Sequence, residues 1–235
     1  MNKDLTFLDH LGELRKRILN SLIAVFIASI ICYLFKKEIF VFLKNPLGKD
    51  FTLYYFTPYE GVFVYLKVVF FASIFLAFPF VLYQIWMFIL PALKLKERKI
   101  AIQGFFVSMF LFFIGVFLAY FYLLPFGIKF LLNFSNDMTP LLSASKYFSF
   151  ILIFLLTFGI IFQMPLIMLF LTKVGIVKIE FLKKKRKEVI LGCAIVSAVI
   201  TPSADVINML IVMIPLVILY EIGIICSIVA NFKRK

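Results

Sequence analysis

The fold class follows from the segment Val62–Leu90, VFVYLKVVFFASIFLAFPFVLYQIWMFIL, where Lys67 is the only charged side chain. Its residues do not alternate between apolar and polar, as they would in a half-buried strand. It exceeds the roughly 20 apolar residues that span a bilayer. Because lipid offers the backbone no hydrogen-bond partners, a spanning segment must be a helix or part of a closed barrel. We therefore predict a membrane-spanning helix here.

Five more apolar stretches extend this prediction along the chain. Hydrophobic residues make up 64% of the 235 residues and charged ones 16%, whereas soluble domains have about 45–50% and about 25%. We expect an all-α polytopic membrane protein with six transmembrane helices, forming one integral membrane domain over residues 1–235. The other five predicted spans are Ile18–Phe35, Ile100–Leu124, Tyr147–Leu171, Val189–Ile200 and Val206–Ala230.

The last two predicted spans are irregular, and several spans contain proline. Val189–Ile200 would cover only about 18 Å of a core near 30 Å, while the sixth span is interrupted by Pro215 and Glu221. We expect helices five and six to be short, with the bilayer thinned beside them. Prolines remove backbone donors, so kinks are expected in several helices. The prolines concerned are Pro79, Pro125, Pro165 and Pro215.

The distribution of Lys and Arg predicts the topology. Eighteen of the 25 lie before span one, in the connections between spans two and three and between spans four and five, or in the tail. By the positive-inside rule both termini are cytoplasmic. The net charge of +13 therefore reflects topology, and we expect no nucleic-acid partner. The outward loop 36–61, which contains Pro46, is predicted to form a structured cap.

Two acidic residues stand among cations next to apolar runs. Glu13 lies in HLGELRKR (10–17), on a predicted amino-terminal interfacial helix over residues 2–17, and Glu97 lies in PALKLKERK (91–99). One interpretation of Glu13 is a surface partner of Arg17 at i,i+4, worth a few tenths of a kcal/mol. The alternative is that the two carboxylates bind a cationic ligand, since guanidinium pairs well with carboxylate.

Several motifs occur together in one order: HLGELRKR (10–17), PFVLYQIWMFILPAL (79–93), ER (97–98), TP (201–202) and EIG (221–223). In them the sequence resembles TatC, the multispanning receptor subunit of the twin-arginine protein translocase. The resemblance implies that Glu13 and Glu97 bind the paired arginines of a signal peptide, while Arg15 and Arg98 shape the same patch.

The resemblance also implies a place and partners for the protein. These are the bacterial cytoplasmic (inner) membrane, twin-arginine signal peptides of folded cargo, single-span subunits of the TatA and TatB types, membrane lipids, self-association in a complex, and transport driven by the proton motive force. No enzyme activity and no cofactor are expected. His10 is the one histidine and the three cysteines lack metal-ligand spacing, so no metal site is predicted.

Other polar and aromatic residues have open interpretations. Family members commonly carry a glutamate where this chain has Gln163, and an uncharged amide would serve either as an inter-helix hydrogen bond or as an intramembrane contact to a partner. Glu221 would pair with a cation or contact a partner helix. Structural or translocation roles are expected for Pro46, Pro79, Phe88, Tyr120 and Asp205. Asp205 would either cap the sixth span or act in translocation, and ordinary packing or interfacial anchoring is the alternative for Phe88 and Tyr120.

Two other function classes fit the sequence less well. A small-solute transporter or channel usually has ionisable groups near the bilayer centre and often shows inverted repeats, whereas most acids here lie near the predicted surfaces and no repeat is visible. An intramembrane hydrolase needs a nucleophile with a partnered base, or metal ligands. The sequence favours the translocase subunit over both.

Overall fold

The structure is a computed structural model that describes residues 7–48, 51–90, 98–133, 141–201 and 206–232. Within these ranges the regular structure is helical apart from one pair of two-residue strands, and short turns and irregular segments connect the elements. Its helices are α1 (Phe7–Leu34), α2 (Lys36–Lys44), α3 (Glu60–Ile89), α4 (Arg98–Leu118), α5 (Leu124–Asn133), α6 (Ala144–Ile161), α7 (Met164–Val174), α8 (Ile179–Lys184), α9 (Arg186–Ile200) and α10 (Val206–Phe232). The strands are β1 (Leu53–Tyr54) and β2 (Leu142–Ser143).

The predicted all-α membrane architecture is confirmed, with five helical stretches that are long and apolar enough to cross a membrane. They are Leu11–Leu34, Glu60–Ile89, Ile102–Phe130, Ala144–Val174 and Met209–Ala230. The fifth predicted span corresponds to α9, whose 15 residues make a helix of about 22 Å, too short to count with the others. A short sixth helix is not confirmed, because α10 has 27 residues and continues through Pro215.

The prolines have different local effects. Pro79 lies inside α3, which continues for ten more residues to Ile89. Pro125 follows a π-helical turn over Ala119–Leu123, a common way for a helix to absorb a missing backbone donor. Pro165 lies in the first turn of α7, directly after the break that separates α7 from α6. A proline is tolerated at that position because the first amides of a helix have no intrahelical partner.

In the described residues, the amino-terminal segment is continuous with the first span. Residues 7–17 are the first turns of α1, which runs without interruption to Leu34, and residues 2–6 lie outside the described ranges. This long helix packs mainly along α3. Much of its remaining surface consists of exposed large apolar side chains, such as Phe26 at 67% exposure, which suits contact with lipid.

The core is built around α6, which packs against α3 and α4. Phe112 of α4 is fully buried between rings and lies over Gly159 of α6. A Cβ at Gly159 would collide with the Phe112 ring. Since lipid is as apolar as the side chains, such close helix contacts stabilise membrane bundles through van der Waals packing.

One end of the bundle is closed by a cap made of α2, a 3-10 turn over Asn45–Leu47 that contains Pro46, and the strand pair. β1 and β2 are parallel, with Leu53 opposite Leu142 and Tyr54 opposite Ser143. We call this end, which also holds the starts of α3 and α6, the cap face. The opposite end, with the start of α1 and the end of α3, is called the Glu13 face.

Candidate functional site

The predicted receptor residue Glu13 lies on α1, one helical turn before Arg17. Arg17 Nη2 donates to Glu13 Oε1 at 2.9 Å, and the two side chains are 22% and 23% exposed respectively. Within the described residues, the second carboxylate oxygen of Glu13 accepts no hydrogen bond. The predicted i,i+4 pair is therefore present, and one oxygen of this partly exposed carboxylate receives no donor from the described part of the chain.

Arg17 is itself held by the neighbouring helix. Its Nη1 donates to Oε1 of Gln84 at 3.0 Å, and Gln84 is 4% exposed near the end of α3. The remaining Nε of Arg17 is buried and has no hydrogen-bond partner among the residues that the structure describes. Because two of its nitrogens are engaged, the guanidinium has a fixed orientation, which also fixes the orientation of the Glu13 carboxylate.

Sequence reasoning did not assign a role to Gln84. The signal was available, since a polar amide inside an apolar spanning segment needs a partner in the protein. The sequence does not give the register of α1 against α3. That register places Arg17 beside Gln84 and so makes it the partner.

A second polar cluster lies between α3, α4 and α7. The indole Nε1 of Trp86 donates to Ser108 Oγ at 3.2 Å, and Nε2 of Gln163 donates to the Ser108 carbonyl at 3.0 Å. All three residues are buried. Gln163, just before α7, thus makes an inter-helix hydrogen bond, which is one of the two interpretations of its amide.

Glu221 lies on α10 and faces α9. Arg186 Nη2 donates to Glu221 Oε2 at 2.7 Å, with the side chains 47% and 38% exposed. Beside this pair, Lys185 donates to Glu188 at 2.7 Å, and this hydrogen bond lowers the pKa of the Glu188 carboxyl. These are exposed pairs of the kind that contribute little to stability.

The other predicted site residues are scattered. Arg15 is exposed on α1, and Arg98 begins α4 with its side chain outside the described part. Glu97 and Asp205 lie outside the described residues, so the predicted meeting of Glu13 with Glu97 is untested. Phe88 is half-buried on α3.

Tyr120 belongs to the cap face. It is 6% exposed and stacks on Phe42 with ring centroids 4.5 Å apart, while its hydroxyl donates to the Phe42 carbonyl. Tyr147 of α6 donates in the same way to the Leu43 carbonyl at 3.2 Å. Both tyrosines therefore attach α2 to the bundle.

Glu60 is a buried carboxylate of the cap face that sequence reasoning missed. Its oxygens accept from Phe56 N at 2.8 Å, Ser143 Oγ at 2.8 Å and Ser145 N at 3.0 Å, and the residue is 7% exposed. It joins the start of α3 to the start of α6. The described part of the chain contains no group of three or more metal-ligating side chains.

Comparison with known proteins gives consistent matches. The family model described as Sec-independent protein translocase protein (TatC) matches residues 9–215. The protein of that name from Desulforapulum autotrophicum is 39% identical over 97% of this chain and 86% of its own length. The one from Aquifex aeolicus is 38% identical over 97% of this chain and 96% of its own.

A solved structure is similar over nearly the whole fold. The crystal structure of the twin-arginine translocase receptor TatC aligns with a TM-score of 0.86 at 37% identity, covering 94% of this chain and 99% of that one. The multispanning helical bundle, the order of the motifs and these matches agree. The chain belongs to the TatC family, and is a non-enzymatic, multi-pass membrane component of the Sec-independent (Tat) protein translocase.

Proposed function

We propose that this chain is the receptor that binds twin-arginine signal peptides, and that the carboxylate of Glu13 is one of its contacts. The observation that carries the proposal is the Glu13 carboxylate itself. It is partly exposed at one end of the bundle, one of its oxygens is held by Arg17, and the other accepts no bond within the described residues.

The chemistry of this carboxylate suits an arginine ligand. A guanidinium presents parallel N–H donors in a plane, whereas a lysine ammonium is a compact charge without that geometry. A hydrogen bond to a charged group contributes about 1.5–3 kcal/mol. A site made of such bonds distinguishes an Arg-Arg signal from a Lys-Lys one.

Arg17 has a supporting role in this proposal. Because Gln84 and Glu13 both bind its guanidinium, Arg17 holds the carboxylate in place before any ligand arrives. Such preorganisation lowers the entropy cost of binding. Glu97 would supply the second carboxylate, and Arg15 and Arg98 would shape the surrounding patch.

The topology and partners form part of the same proposal. The Glu13 face is cytoplasmic, and both termini lie on that side of the bacterial inner membrane. The bundle has six spans, of which the fifth, α9, is short. The bilayer thins beside α9. The prolines at positions 79, 125, 165 and 215 bend their spans. Single-span partners of the TatA and TatB types associate with this bundle, and further copies of this chain join the complex. The proton motive force drives transport of folded cargo.

Further residue roles complete the proposal. Glu221, on an exposed edge of α10, and Gln163 are placed as intramembrane polar or partner contacts. Structural or translocation roles are assigned to Pro46, Pro79, Phe88, Tyr120 and Asp205.

The experiment that tests the receptor role measures binding of a labelled signal peptide to purified protein in nanodiscs. We expect Glu13→Gln to weaken binding of the Arg-Arg peptide by about tenfold or more, the equivalent of one charge-assisted bond. Binding of a Lys-Lys peptide should be weak to both proteins. Glu38→Gln is the matched control, since Glu38 is an exposed carboxylate on α2 at the cap face.

Equal affinity of the Glu13→Gln variant and the control for the Arg-Arg peptide would contradict the proposal. Arg17→Lys adds a second measurement. It keeps the charge but cannot hold Gln84 and Glu13 with one planar fork, so we expect an intermediate loss of affinity.

A further inference from the structure

A cavity on the cap face has no role in the function proposed above. It has a volume of about 690 Å³ and lies where the start of α3 meets the start of α6. Volumes of this size are typical of pockets for small molecules. Two cations line it, Lys67 from α3 and Lys146 from α6, together with the hydroxyls of Ser143 and Ser145.

Lys67 is the unusual member of this lining. It lies about 10 Å along α3 from Glu60, inside a stretch that is apolar enough to span the membrane. Its Nζ donates to Ser145 Oγ at 3.1 Å and to Ser149 Oγ at 3.0 Å. Among the described residues no carboxylate lies within ion-pair distance of it. An ammonium in a membrane segment without a counter-charge is costly.

Glu60 lines the same cavity but does not neutralise either lysine. Its oxygens already accept the three donors from Phe56, Ser143 and Ser145. Within the described part of the chain, Glu60 forms no ion pair with Lys67 or with Lys146. Among the described lining residues there are two cations and one carboxylate, so this lining carries a net positive charge; it also carries the hydroxyls of Thr57, Tyr59, Ser143 and Ser145.

The aromatic residues around the cavity indicate its depth in the membrane. Phe56 and Tyr59 line it and are each 62% exposed, and Tyr55 next to them is 61% exposed. Exposed aromatic side chains, Tyr and Trp above all, concentrate at the level of lipid headgroups. Below them, α3 presents an exposed apolar stripe of Phe63, Leu66 and Phe70, which is suited to acyl chains.

We infer that this cavity binds the phosphate of an anionic phospholipid from the leaflet on the cap-face side. Lys67 and Lys146 donate to the phosphate oxygens, the hydroxyl of Ser145 donates a further hydrogen bond, and the acyl chains lie along the apolar stripe of α3. The lipid supplies the negative charge that Lys67 lacks. This binding is independent of signal-peptide recognition, which belongs to the opposite face.

The test is native mass spectrometry of the detergent-purified chain titrated with phosphatidylglycerol or with phosphatidylcholine. We expect preferential retention of phosphatidylglycerol by the unmodified protein. Removal of one lysine near an anionic headgroup costs about fivefold in affinity, so Lys67→Gln and Lys146→Gln should each weaken retention by about that factor. Lys129→Gln is the control, because Lys129 is an exposed cation of α5 at the same face and does not line the cavity.

Three results would overturn the inference. One is equal retention of phosphatidylglycerol by Lys146→Gln and by the Lys129→Gln control, which remains informative even if Lys67→Gln fails to fold. Another is equal binding of phosphatidylcholine and phosphatidylglycerol. The third is complete displacement of the lipid by millimolar inorganic phosphate, which would indicate a site for the free anion.

Discussion

Each end of the bundle holds a carboxylate, and the two carboxylates differ in burial and in the number of hydrogen bonds that they accept. At the cap face Glu60 is 7% exposed and accepts donors from three residues. At the Glu13 face the Glu13 side chain is 23% exposed and is held through one oxygen by Arg17. A carboxylate with hydrogen bonds to both oxygens fixes the structure, whereas one with an oxygen that the described residues leave unbonded can bind a ligand.

The same contrast extends to the surroundings of the two residues. The cap face joins α2, α3 and α6 through tyrosine hydroxyls, a strand pair and Glu60. The Glu13 face joins α1 to α3 through Arg17 and Gln84. We expect substitutions at the cap face to change stability, and substitutions at the Glu13 face to change peptide binding.

The largest effect in this comparison is expected from Glu97→Ala. Removal of the second proposed carboxylate should weaken crosslinking of a twin-arginine signal peptide by about tenfold, the equivalent of one charge-assisted bond. The amount of protein inserted in the membrane should not change. Crosslinking to a photoreactive Arg-Arg peptide measures the first quantity, and membrane fractionation measures the second. Unchanged crosslinking would reject the role assigned to Glu97.

A smaller effect is expected from Tyr147→Phe at the cap face. The change deletes the hydroxyl that donates to the Leu43 carbonyl and should lower the free energy of unfolding by about 1 kcal/mol. Thermal unfolding in detergent measures this, with Tyr122→Phe as the control because Tyr122 is 64% exposed. Peptide binding should be unaltered. A loss of binding without a loss of stability would contradict the division between the two faces.

The smallest effect is expected from acidification near α9. Because the Lys185 hydrogen bond lowers the pKa of the Glu188 carboxyl, its small stabilisation is fully present above the ordinary pKa of glutamate and is lost as the pH falls through the lowered pKa of the folded protein. We expect Lys185→Gln to lower the unfolding temperature slightly at pH 7 and not at pH 3. A difference that persists at pH 3 would show that Lys185 acts through another contact.

The main features of the fold could be predicted from the sequence because lipid restricts the choices. A run such as Val62–Leu90 has one outcome in a membrane, a helix, and its length sets the span. The end of the last helix was harder. Pro215 suggested an interruption, but α10 continues through it, since neighbouring groups in a bundle can absorb one missing donor.

The candidate site was predictable only in part. Spacing alone predicted the pair of Glu13 with Arg17 because both lie on one helix. Contacts between helices could not be found in this way. The bonds of Gln84 to Arg17, Gln163 to Ser108 and Glu60 to Ser143 span 67, 55 and 83 residues of sequence, and each depends on the register of two packed helices.

The parallel strands and Glu60 have a consequence for the order in which the protein is made. Glu60 and β1 leave the ribosome more than 80 residues before Ser143, Ser145 and β2, which complete their hydrogen bonds. Until then the first three helices carry a carboxylate whose long-range donors do not yet exist. The nascent chain therefore closes its cap only when α6 has been synthesised. A chain truncated before that helix would leave the Glu60 carboxylate and the edge of β1 without their long-range hydrogen-bond partners, and we expect cellular quality control to recognise it.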